Sequence, residues 1–125
     1  MLIKTIKTFE EFELFKSQYN NIIINVTFKK CIPCIQIKPK IEEFIINKNI
    51  LDTIYLILDR DDYIEDSKFE ELLQVTKFPH FSFIKNGINI YSITSSNFEI
   101  VSENLNKLII ENCGDKLILL NDNDF

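Results

Sequence analysis

The chain has 125 residues, 46% of them hydrophobic and 12% aromatic, with a formal net charge of −5. That is enough apolar material for one domain with its own core, and the acidic balance without a long basic run argues against nucleic acid as a partner. No apolar run approaches the roughly 20 residues of a membrane span, which excludes a membrane-embedded class.

The first residues lack both an apolar h-region and a small-residue cleavage site, so no signal peptide is expected. Three cysteines are too few and too odd in number for a secreted disulfide framework, so a reducing, cytoplasmic setting is expected. Ile, Asn and Lys make up about 39% of the chain and Ala is absent, a bias typical of AT-rich coding, so Ile content alone is not read as strand propensity. Such a bias suits a large DNA virus, a parasite or a low-GC bacterium; for a virus the setting becomes the host cytoplasm or the particle.

In chain order, residues 2–7 alternate apolar and polar side chains and read as a short strand. Thr8 followed by Glu11 is a capping-box pattern, and Phe9, Phe12 and Phe15 recur at helical spacing, predicting a helix over residues 9–18. Asn20 and Asn21 predict a turn, and residues 22–28 form an apolar run suited to a strand buried on both faces. Cys31-Ile32-Pro33-Cys34 then opens a helical pattern with Ile37, Ile41, Phe44 and Ile45 as its inward stripe, to about residue 47. Pro33 falls in the first turn, where a missing N–H costs nothing; Pro39 falls inside, where it removes a ladder bond and predicts a kink.

Residues 53–58 read as a second buried strand, ended by the charged run Asp59-Arg60-Asp61-Asp62. Ser67 with Glu70 predicts a capping box opening a helix through Val75, with Phe69, Leu72 and Leu73 inward. Residues 80–85 alternate as a strand, Asn86-Gly87 is a strong hairpin signal, and residues 88–93 return. A last helix over residues 98–112 places Val101, Leu105, Leu108 and Ile109 on one face, leaving residues 113–125 as a tail in which the apolar run 117–120 is expected to dock. This order, with two parallel crossovers and a hairpin, predicts an α/β three-layer sandwich around a mixed sheet.

The chemistry concentrates at Cys31 and Cys34. Two thiols three residues apart can join in a disulfide, and at a helix N-terminus the first sulfur meets unpaired N–H groups and the positive end of the helix dipole, which favour a thiolate. Beside a βαβ pattern such a pair reads as a redox site, with half of a zinc site as its competitor. A zinc site of Cys31, Cys34, His80 and Cys113 would need four converging ligands, and Cys113 is expected beyond the last helix, so no metal is expected.

These motifs and the order of elements together resemble the thioredoxin family. Pro39 stands five residues after Cys34, where family members carry a kinking proline, and Lys77-Phe78-Pro79-His80-Phe81, running on to Lys85-Asn86-Gly87, looks like the family's cis-proline strand and hairpin. The resemblance covers residues 1 to about 112 and implies one thioredoxin-like domain, residues 1–112, built on a central mixed five-stranded sheet. It implies Cys31 as the attacking nucleophile, Cys34 as the resolving thiol, and no bound cofactor beyond the redox-active pair itself. It further implies protein disulfides as substrates, an external reductase or small thiol as electron donor, and a monomer. Phe78 would offer its main chain to an extended substrate beside a cis Phe78–Pro79 bond. Lys29 and Lys30 would add positive potential and Pro33 would stiffen the site. His80 would act on the thiols only if strand alternation turns its ring toward them.

The departures are as informative. Asn25 stands where the family buries an aspartate that relays a proton to the second cysteine, and the lysine that partners it aligns near Tyr55. Thr27 and Lys30 occupy the places of the family's tryptophans. With only Gly87 and Gly114, the glycine pair of glutaredoxins has no counterpart. Asn25 is expected to be a hydrogen-bonded core residue and Cys113 an incidental thiol. The reading is a thiol:disulfide oxidoreductase acting as net reductant; the alternatives are a disulfide oxidant or isomerase, and a binding module using the face of residues 78–81.

Overall fold

The computed structural model describes residues 1–63 and 66–113, so the expected docking run at 117–120 lies outside the described residues. The elements follow in the order β1 (Leu2–Ile6), α1 (Phe9–Gln18), β2 (Asn21–Thr27), α2 (Ile32–Ile46), β3 (Thr53–Asp59), a 3-10 turn (Arg60–Asp62), α3 (Ser67–Leu73), β4 (His80–Lys85), β5 (Ile88–Thr94) and α4 (Phe98–Cys113). The sheet runs β1-β3-β2-β4-β5, with β1, β3 and β2 parallel and β4 and β5 antiparallel to their neighbours.

Because successive strand residues point to opposite faces, the central strands feed two cores. Ile23, Tyr55, Ile57, Phe81 and Phe83 pack with Ile37, Ile41 and Ile45 of α2 and Val101, Leu105 and Ile109 of α4. Ile22, Ile24, Val26, Leu56, Leu58 and Ile84 pack on the other face with Phe12 of α1 and Phe69 and Leu73 of α3. The three-layer sandwich with a mixed five-stranded sheet is therefore as the pattern of elements predicts.

Local signals explain most boundaries. The Thr8 hydroxyl accepts from the Glu11 N–H at 3.2 Å while the Glu11 carboxylate accepts from the Thr8 N–H at 3.0 Å, completing the capping box that starts α1. Asn86 and Gly87 adopt φ of 52° and 81°, the two left-handed positions a tight hairpin turn needs.

Several expectations are corrected. Asn21 belongs to β2 and is buried, because its N–H donates to the Asp52 carbonyl at 3.1 Å and continues the ladder. Asp66, not Ser67, caps α3: its carboxylate accepts from the Lys68 N–H at 2.9 Å, a stronger acceptor one residue earlier. That helix stops at Leu73, short of Val75, because Gln74 turns left-handed (φ 49°) and donates its N–H back to the Glu70 carbonyl; Leu72 is only half-buried. Cys113 is the last residue of α4 and fully buried, with its sulfur 3.8 Å from Thr53 Oγ1.

Candidate active site

The site grows from the end of β2. After Thr27 the chain leaves the sheet through Phe28, Lys29 and Lys30, and the Cys31 N–H donates to the Phe28 carbonyl at 3.0 Å, bending the loop so that α2 can begin. Cys31 is the N-cap of α2 and its sulfur accepts from the Cys34 N–H at 3.2 Å, the position where Ser or Asp usually satisfies an open helix end. Pro33 occupies the first turn and Pro39 lies inside the helix.

Cys31 and Cys34 are joined in a disulfide with Cα atoms 5.2 Å apart. Cys31 is half-buried, whereas Cys34 is 2% exposed, so an incoming group can reach the first sulfur and not the second.

The second wall comes from the start of β4. Antiparallel pairing sets Val26 against His80, so Pro79 lies beside the end of β2 from which the cysteine loop departs. The Phe78–Pro79 bond is cis. The Phe78 ring stacks on Phe28 with centroids 5.8 Å apart, joining the two loops; Phe28 was read from sequence only as the end of a strand, and its aromatic character beside the cysteine motif was the available signal. Ile32, between the two cysteines, is 61% exposed.

The remaining candidates divide. Lys30 and Lys29 are exposed in the approach to Cys31. Asn25 is 4% exposed on the α2/α4 face, and its side-chain amide donates to the His80 carbonyl at 3.2 Å. Its ladder partner in β3 is Ile57, and Tyr55, at the place of the family's lysine, pairs with Ile23 two residues back on the same face. Tyr55 is fully buried, and burial holds its hydroxyl well above the usual range, with the Glu42 charge adding to the effect.

His80 is turned the other way. Alternation sets its ring on the α1/α3 face, opposite the layer that holds Cys34, with Nε2 2.7 Å from Ser82 Oγ, which in turn lies 2.9 Å from Ser92 Oγ. Its Nδ1 is buried without a hydrogen-bond partner among the described residues, and burial lowers its pKa to about 4, so the ring is neutral at neutral pH. The hydrogen-bond count closes when Nε2–H donates to Ser82 and the Ser82 hydroxyl donates to Ser92, leaving Nδ1 as a bare acceptor.

Among the described residues no three or more His, Cys, Asp or Glu side chains gather as metal ligands. Cys113 sits at the start of β3, at the far end of the sheet from Cys31, which takes apart the four-ligand zinc set weighed above.

Solved thioredoxin structures have the same overall fold. The chain is similar to the oxidised thioredoxin from Plasmodium falciparum at 24% identity, over 84% of this chain and 96% of that one, with a TM-score of 0.70. This is the thioredoxin fold. Thioredoxin h4 from poplar matches at 20% identity over 87% of this chain and 97% of its own, TM-score 0.73. Mitochondrial thioredoxin 3 from Saccharomyces cerevisiae matches at 22% identity over 85% and 95%, TM-score 0.69. The sequence matches no family model and no curated protein. Within the thioredoxin fold, the end of β2, the first turn of α2 and the start of β4 are the parts that this chain uses to surround its cysteine pair.

Proposed function

We propose that this protein is a thiol:disulfide oxidoreductase that reduces disulfides in protein substrates through Cys31 and Cys34. The observation that carries the reading is the difference between the two sulfurs: Cys31 is accessible and caps α2, while Cys34 is buried one turn in. An N–H donor and the helix dipole at the Cys31 sulfur favour its thiolate, which is the attacking species.

In the proposed cycle the Cys31 thiolate attacks one sulfur of the substrate disulfide, and the other leaves as a thiolate that takes up a proton. Cys34 then loses its proton and attacks the Cys31 sulfur, forming the Cys31–Cys34 disulfide and releasing the second substrate thiol. The substrate gains two electrons and the protein loses two. A dithiol reductase or a small thiol in a reducing, cytoplasmic setting restores the pair, and the protein acts as a monomer. Phe78 supplies main-chain hydrogen bonds to an extended substrate segment beside Pro79.

Substitution tests the roles. Cys34→Ser accumulates mixed disulfides through Cys31, readable as adducts on non-reducing gels, and Cys31→Ser accumulates none. Equal trapping by both variants overturns the assignment. Pro33 in the first turn supports net reduction, whereas an amide at Asn25 supports the oxidant or isomerase reading, since it leaves Cys34 without a carboxylate base there. Equilibration with a glutathione redox series separates the two directions.

A further inference from the structure

The proposed site is framed by lysines in a protein whose net charge is −5. Lys29 and Lys30 directly precede Cys31, and Lys77 directly precedes Phe78; all three are exposed. Stacking of Phe28 on Phe78 brings the two lysine-bearing loops together, so Lys29 and Lys77 each adjoin one ring of the aromatic pair in the chain and Lys30 adjoins Cys31. The ion pairs among the described residues are Lys16–Glu13 and Lys38–Glu42, and none of the three lysines takes part. Residues 28–34, 75–79 and 94–97, the loops at this end of the β2-β4-β5 flank, contain no Asp or Glu.

The acids at this end of the sheet stand elsewhere. Asp59 ends β3 and Asp61 and Asp62 follow it, on the strand that borders β2 on the side away from β4. Among the described residues the charge is thus uneven: the loops on the β4 flank, where the Phe78 main chain lies, carry lysines and no acid before Glu99 in the first turn of α4, and three aspartates with Arg60 stand on the β3 flank.

We infer that Lys29, Lys30 and Lys77 select substrate segments that carry Asp or Glu beside the attacked cysteine. The inference rests on the oxidoreductase reading above and adds a substrate class to it. Exposed charge pairs are individually weak, but three cations on two adjoining loops act together on encounter, and like charges there repel, so discrimination comes from both signs.

The test uses three peptides that share one intramolecular disulfide and differ at the two residues before its first cysteine: Glu-Glu, Gln-Gln or Lys-Lys. Reduced full-length protein is mixed with each at low salt and at 0.5 M NaCl, and the second-order rate of peptide reduction is followed. The Glu-Glu peptide is expected to react roughly tenfold faster than the Lys-Lys peptide at low salt, with the ratio falling toward one at 0.5 M NaCl as screening shortens to a few ångströms.

In the triple variant Lys29→Gln, Lys30→Gln, Lys77→Gln the Glu-Glu to Lys-Lys ratio collapses. The Gln-Gln rate separately reports any change in Cys31 reactivity. Equal rates on the Glu-Glu and Lys-Lys peptides, or a ratio unchanged in the triple variant, overturn the inference and leave the oxidoreductase reading standing. Failure to reduce any of the three overturns both.

Discussion

The two faces of the sheet bury polar groups in opposite ways. On the α1/α3 face, Phe69 meets Phe9, Phe12 and Tyr63 at centroid distances of 5.0 to 6.2 Å, and the buried polar side chains His80 and Ser82 bond to each other. On the α2/α4 face the packing is mainly aliphatic, and the buried Asn25 reaches a main-chain carbonyl of the strand that follows Pro79. The difference separates tasks: the α2/α4 face carries Cys34 on its helix, and the α1/α3 face meets the site at its edge, where Phe78 packs against that core.

The largest expected effect tests that separation. Phe69→Ala removes the ring at the centre of the aromatic cluster and should cost about 3–5 kcal/mol of stability by urea denaturation. Thiol exchange per folded molecule should be unchanged, and a matching loss of exchange rate would show that the faces are coupled.

Next comes pH. The folded-state pKa of His80 is lowered from 6.5 to about 4 by burial, so the unfolded chain takes up the proton first. The contribution is fully present above the unfolded value and is lost as pH falls from 6.5 toward 4, by roughly 3 kcal/mol at its limit. His80→Phe should flatten stability across that window, as read from urea midpoints, and an unchanged slope would place the titration in another group.

The smallest change in stability carries the sharpest question about mechanism. Asn25→Asp replaces the amide donor to the His80 carbonyl with an acceptor, which should cost about 1–3 kcal/mol. It also places a carboxylate on the Cys34 side of the sheet, and decay of the mixed disulfide, followed by acid quench, should quicken on the order of tenfold or more. Unchanged decay would show that the lack of a base at Asn25 does not limit the second step.

Much of this was legible before the structure. Helical spacing of phenylalanines, the Thr8–Glu11 box, the Asn86-Gly87 turn and the three prolines are local signals, and each acts within a few residues of where it is read. What escaped depended on pairing between distant segments. Phe28 meets Phe78 because β2 and β4 pair. Ser67 looked like a cap because its spacing to Glu70 was right, yet Asp66 offered a charged acceptor one position earlier. His80 adjoins the proline in sequence and turns away from the sulfurs, since strand alternation overrides adjacency.

The cap at the start of α2 has one further consequence. The sulfur that accepts the Cys34 N–H is a neutral acceptor in the disulfide and, in the proposed cycle, the thiolate of the reduced pair, and an anionic acceptor bonds an N–H and the helix dipole more strongly. The first turn of α2 is thus tied down harder in the reduced protein than in the oxidised one. A substitution that strengthens this cap more in the reduced protein than in the oxidised one draws electrons onto the cysteines, and one that weakens it more in the reduced protein gives them up, so a change in electron affinity here equals the change in the stability difference between the two forms.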